Sequence, residues 1–397
     1  NNCSNKTTIY IIVLQLKPLI LFFNSINMTD RNNYPRRKFI KKTSLLAGAA
    51  IAGFNIIGKA NPSSDNIVGH GNFRYRVNKA WGNLDPAKTP VLDCHEMVND
   101  SKGRLVMITD EVKNNIIIYD RSGKLLDTWG TRYPGGHGLT LSAEGGEDFL
   151  FITDCGYFLG KDSKWQSQSG SVFKTTIDGK LLFALGHPAT IGIYKKDEPF
   201  KPTEVAVAPN GDFYVADGYG SDYIIQYDHN GKYIRHFGGH HNSNADHNLN
   251  NAHGVAVDLR NPASPKLICT SRNDNAFKFF TLDGRYLETV KLPGAYVCRP
   301  VLDGENIYAG VCWSNFKDTG KMDGGKSGFV TILDKNNKVV SNPGGTAPEY
   351  KNGVLQPMFA DGNIFYHGHD VCVDADKNVY ICQWNAEKTY PVKLERI

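Results

Sequence analysis

After residue 90 the chain alternates apolar and polar positions in short bursts separated by turn chemistry. The stretch "FYHGHDVCVDADKNVYICQW" at 365–384 shows the unit. Val371, Cys372 and Val373 run into Asp374, Asp376-Lys377-Asn378 reverses the chain, and Val379-Tyr380-Ile381 returns. Alternation with a period of two predicts strands, and a short polar reversal between them predicts an antiparallel hairpin.

The hairpin recurs as part of a larger repeat. Its cleanest copy is "PTEVAVAPNGDFYVADGYGSDYIIQYDHNGKYIRHFG", with four β runs divided by Asn-Gly and similar turns. Other copies open with "CHEMVND", "GHGLTLS", "AHGVAVD", "CRPVLDG" and "GHDVCVD". A repeat of about 40–50 residues carrying four strands is the signature of a propeller blade. The sixth copy stops after "TYPVKLERI" without an outer strand, and "FRYRVNKAWG" at 73–82 supplies the missing piece. The expected fold is an all-β, six-bladed β-propeller, its ring closed by an N-terminal strand that completes the last blade and removes an open edge. Inserts at 156–170, 314–328 and 342–358 are expected to gather on one face.

The N-terminal region stands apart from the repeats. Residues 1–27 precede the first methionine, Met28, and read as an over-extended reading frame. Residues 28–60 hold Arg36-Arg37, Phe39, a lysine pair and a small-residue apolar stretch at 45–57. That order resembles a twin-arginine export signal. A basic-flanked membrane anchor is the alternative, and the apolar stretch is short for a span of about 20 residues. Residues 61–397 form the propeller in this division, and a periplasmic or secreted location follows from the export signal.

Composition adds limits. A hydrophobic content of 41% with 21% charged residues is that of a soluble globular chain. Net charge is +5, and no basic block argues for nucleic acid. The eight cysteines include seven spread among the blades, where buried free thiols are expected rather than a disulfide framework. The expected partner is a small-molecule or peptide substrate, bound by a monomer that meets a membrane only during export.

Polar residues occupy an apolar place in each blade. The position before each innermost strand is His95, His137, Thr203, His253, Arg299 and His369 in turn. His137, His253 and His369 fall on alternate blades and are spaced by 116 residues each time. Three imidazoles converging on a channel axis leave a fourth position open, as a catalytic zinc requires. His95 breaks the alternation and is expected to be structural or to lie behind the ligands. His240, His241 and His247 sit in a polar loop and read as solvated.

The repeats resemble NHL propellers over roughly residues 70–397. The histidines resemble those of the lyase domain of peptidylglycine α-amidating monooxygenase, a six-bladed zinc propeller. His137 in "GHGLTL", His253 in "AHGVAV" and His369 in "GHDVCV" match its zinc ligands. Tyr219 in "VADGYGSDY" matches its catalytic tyrosine, and Arg272 in "CTSRNDN" matches its arginine less closely. The resemblance implies a zinc ion that polarises a substrate hydroxyl, and a tyrosine base whose pKa is lowered by Arg272 and the metal. A C–N bond then breaks to give an amide and glyoxylate. It also implies a structural calcium on Asp370 and the carbonyls of Leu139 and Met97.

Three positions depart from that pattern. His367 stands where the family has methionine, and His367 and His95 are expected behind the metal ligands or against the substrate. Asp110 and Glu111 replace a substrate-holding arginine, and Gly220 replaces a cysteine after the tyrosine. Two other classes stay open on the sequence: a non-catalytic binding platform, and a hydrolase resembling metal-dependent lactonases. The second would draw on Glu96, Glu204 and Asp370.

Overall fold

The computed structural model describes residues 67–397. The segments 1–27 and 28–60 lie outside the described residues. Valine, isoleucine, tyrosine and phenylalanine fill the short runs between turns, and they pair as antiparallel sheets. In blade one the order from the axis outward is Cys94–Asn99, Leu105–Thr109, Ile116–Tyr119 and Leu125–Trp129. The innermost strands of the remaining blades are Gly136–Glu144, Glu204–Val207, Val255–Asp258, Ala295–Asp303 and Gly368–Val373. Each innermost strand touches the next, and the sixth touches the first, so the ring is closed.

Closure follows the sequence reading with two differences. Phe73–Asn78 pairs antiparallel with Val392–Arg396 of the last blade, with Val77 opposite Leu394. This strand ends at Asn78, and Trp81 beyond it packs against Tyr380 at 4.5 Å between ring centroids. A further strand, Ile67–His70, adds outside it, so blade six has five strands. Ile67–His70 lies outside the strand expected at 73–82.

The core lies between blades as much as within them. Val106, Ile108 and Ile116 of blade one pack with Leu139, Leu150 and Ile152 of blade two. Tyr75 and Val77 of the closing strand pack with Val379, Ile381 and Leu394. The seven cysteines of the described residues are free and buried. No helix among the described residues is long and apolar enough to cross a membrane.

Candidate metal centre and active-site pocket

His95, His137 and His369 reach the axis because the strand register slips where they stand, whereas His253 precedes its strand, Val255–Asp258. Pairing shifts between Cys94 and Glu96, between Gly136 and Leu139, and between Gly368 and Asp370. Each slip leaves a histidine unpaired, and a bulge of this kind re-aims its side chain. Gly138 follows His137 because a Cβ there would lie 2.5 Å from the Thr203 carbonyl oxygen of the next blade.

Four imidazoles meet as two triangles sharing one edge. His137 and His369 have ring centroids 4.7 Å apart. His253 closes one triangle, at 4.7 Å from His137 and 4.8 Å from His369. His95 closes the other, at 4.9 and 4.8 Å. Among the described residues the three histidines whose ligand atoms all lie within 4.8 Å of one another are His95, His137 and His369, a set that holds His95 in place of the expected His253. Alternation alone had set His95 aside, and the structure puts it in the cluster.

The His253 triangle is set up to present lone pairs. His137 donates from Nδ1 to the Thr203 carbonyl at 2.8 Å, and His369 from Nδ1 to the His95 carbonyl at 3.0 Å. Both Nε2 atoms are thereby left as acceptors. His369 Nε2 is buried with no partner. The Nε2 atoms of His137 and His253 stand 3.1 Å apart. Two tetrahedral ligands on zinc at about 2.0–2.1 Å are separated by about 3.3 Å, so the pair suits one ion. Burial holds the pKa of all three rings well below the ordinary histidine value, aided by neighbouring imidazoles and the Arg272 guanidinium. Neutral rings are the metal-binding form. Neutral rings with the His137 and His253 Nε2 atoms at this spacing fit zinc, with His369 and His95 beside them as candidates for the third ligand.

Tyr219 completes this triangle. Its Oη lies 3.2 Å from His137 Nε2 and 3.1 Å from His253 Nε2. The turn before it is fixed by buried Asp217, which accepts from Tyr194 Oη at 2.6 Å and from the Ser221 amide at 2.7 Å. A Cβ on residue 220 would collide with the Asp217 carboxylate, which explains glycine there. Burial pushes the Tyr219 phenol above its ordinary value, and the opposing pull of Arg272 is smaller.

Arg272 is buried at the start of a short 3-10 turn, Arg272–Asp274. Its Nη2 is 3.1 Å from Cys298 Sγ, its guanidinium lies 5.5 Å from the Trp313 ring centre, and Nε is buried without a partner. His367 hydrogen-bonds the Trp384 carbonyl at 2.9 Å through Nδ1 and packs edge-on against Trp313 and tilted against Trp384. It supports the pocket wall and does not join the imidazole cluster. The cavity above the site holds about 700 Å³ and is lined by His95, His137, Tyr219, Arg272, Asp110 and three tryptophans. Inserts 156–170 and 314–328 supply Tyr157, Trp165 and Met322 to it, whereas 342–358 supplies no lining residue.

The calcium expectation is overturned. Asp370 and the carbonyls of Leu139 and Met97 do converge, but on the guanidinium of Arg299. Arg299 donates from Nε to Asp370 Oδ1 at 3.0 Å and from Nη2 to Asp370 Oδ2 at 2.8 Å. Its Nη1 reaches the Leu139 carbonyl at 2.9 Å and its Nη2 the Met97 carbonyl at 3.1 Å. Glu96 and Glu204 flank it at 3.5 and 3.6 Å. A planar cation with fixed donors already fills the place between those oxygens, so no room for calcium remains. The same engagement removes Glu96, Glu204 and Asp370 as the acidic metal set of a lactonase-like hydrolase.

Fold and site together define a six-bladed propeller with an imidazole cluster on its axis. No protein-family model matches the chain. Peptidyl-alpha-hydroxyglycine alpha-amidating lyase 1 of Drosophila melanogaster is 30% identical over 167 residues, 41% of this chain and 26% of that protein. The match thus spans about a quarter of the relative's length, and it supports the resemblance read from the motifs. A protein of unknown function from Bacteroides thetaiotaomicron superposes with a TM-score of 0.50 at 11% identity, over 79% of this chain and 71% of that one. That likeness shows the fold alone. A streptogramin B lyase structure gives a TM-score of 0.49 at 14% identity, over 81% and 97%.

Proposed function

We propose that this chain is an exported, zinc-dependent lyase that cleaves a C–N bond beside a hydroxylated carbon, as the name of its fly relative suggests. The observation that carries the reading is Tyr219 Oη placed between the Nε2 atoms of His137 and His253. His137, His253 and His369 would hold the zinc, which when bound supplies a Lewis acid for a hydroxyl oxygen. Tyr219 exchanges the hydroxyl proton at Oη. Arg272, with its Nε lacking a partner, offers donors to the oxygen that gains charge as the bond breaks. The tryptophans exclude water from one side and present flat apolar surface to the rest of the substrate.

The test is metal analysis of untagged protein together with glyoxylate release from a peptidyl-α-hydroxyglycine. Loss of one zinc equivalent and of glyoxylate release in His253→Ala is the expected result. Wild-type protein that binds no zinc would leave the propeller as a binding platform. Export through Arg36-Arg37 is part of the proposal, and a Lys-Lys variant that still leaves the cytoplasm would refute that part.

A further inference from the structure

Two buried carboxylates beside the cluster have no role so far. Asp93 and Asp110 are 7% and 6% exposed. Asp93 Oδ1 accepts from the Asn385 amide at 2.7 Å, and Asp110 Oδ1 accepts from the Asp93 amide at 2.8 Å. Among the described residues no lysine or arginine pairs with either, and the basic group nearest is His95, with Nε2 3.9 Å from Asp110 Oδ2. Like charges buried side by side without a cation are costly.

His95 supplies the second observation. It is 7% exposed, and its Nδ1 is buried with no hydrogen-bond partner. One ligand atom from each of Asp93, His95 and Asp110 lies within 4.8 Å of the other two. Two tetrahedral ligands on zinc stand about 3.3–3.6 Å apart, so side-chain movements of about 1 Å would close the set around an ion.

We propose that Asp93, His95 and Asp110 form a second metal site, for a divalent transition-metal ion such as zinc, next to the three-histidine centre. One imidazole with two carboxylates suits zinc better than calcium, which favours an all-oxygen shell. His95 and Asp110 both line the cavity that holds Tyr219 and Arg272, so the open coordination position faces the same substrate. The second ion brings a positive centre to the cavity that Arg272 also lines and would take an oxygen-bearing group of the substrate. The site stands whether or not the first centre is a lyase.

The experiment is zinc uptake by chelator-stripped full-length protein, measured by equilibrium dialysis and elemental analysis. Wild type should bind two equivalents. Asp110→Asn and Asp93→Asn should each bind one, and His253→Ala should bind one from the other centre. His253→Ala combined with Asp110→Asn should bind none. Asparagine keeps an acceptor for the Asn385 or Asp93 amide, and circular dichroism checks each fold. Saturation of wild type at one equivalent that Asp110→Asn leaves in place overturns the proposal. So does a second equivalent that survives both asparagine substitutions.

Discussion

Arg299 grips Asp370 with two donors, Nε to Oδ1 at 3.0 Å and Nη2 to Oδ2 at 2.8 Å, at the centre of the ring. Through this pair blade five is tied to blade six, and the spare donors reach blades one and two through the Met97 and Leu139 carbonyls. The guanidinium acts as a covalently attached axial cation. Removing one partner of a buried ion pair strands the other, at a cost of about 3–5 kcal/mol. Arg299→Ala should therefore melt well below wild type, and calcium should partly restore it by entering the vacated space. Wild type should melt at the same temperature with and without a calcium chelator. A chelator-sensitive wild type would show that Arg299 is not the axial cation.

Three carboxylates around one guanidinium leave excess negative charge. Burial, opposed by Arg299 and reinforced by Glu204 and Asp370, pushes the Glu96 carboxyl well above its ordinary value. A carboxyl raised in the folded state contributes stability that is full below its unfolded value of about 4.3 and is lost as pH rises through the folded value. Glu96→Gln mimics the protonated form, since its amide oxygen can still accept from the Leu139 amide, as Glu96 does at 2.7 Å. The variant should match wild type near pH 4.5 and exceed it increasingly towards pH 8 in thermal melts. A variant weaker than wild type at pH 8 would mean that Glu96 works ionised.

The closing strand gives a check on ring assembly. Tyr75 is fully buried against Val379, Ile381 and Leu394, while Arg74 beside it is exposed. Tyr75→Ala should cost about 3–5 kcal/mol, and Arg74→Ala should stay within about 0.5 kcal/mol. Equal effects in denaturant titrations would place the strand elsewhere.

The blades were legible because alternation and turn residues are local signals, repeated six times. That the rings of His137, His253 and His369 meet was legible because equal spacing in a ring means equal angles. Arg299 stood in the same sequence position as those histidines, yet its role depends on reach across the channel to carbonyls of other blades. A signal was available: Glu96, Glu204 and Asp370 each directly follow such a position, and three buried acids on one axis require a cation. His95 was set aside by the alternation rule, which counts blades but not the register slip that swings its ring inward. Ile67–His70 carries little apolar periodicity, so only its pairing with Phe73–Asn78 reveals it.

Tyr219 is where the proposed chemistry is most exposed to test. Its phenol is not a protein ligand in the proposal, so Tyr219→Phe should bind as much zinc as wild type. The ring still packs at 5.2 Å from His137 and 5.5 Å from His253, which preserves the shape of the site. Only the oxygen that exchanges the substrate proton is gone, and positioned acid–base groups contribute about 10²–10⁴-fold. Glyoxylate release should therefore fall by at least about 10²-fold at unchanged zinc content. Arg272→Lys keeps a charge but loses the planar fork over Trp313, and it should lower turnover with the metal intact. A Tyr219→Phe enzyme that keeps full turnover would remove the phenol from the mechanism. One that loses zinc as well would show that Oη belongs to the coordination shell instead.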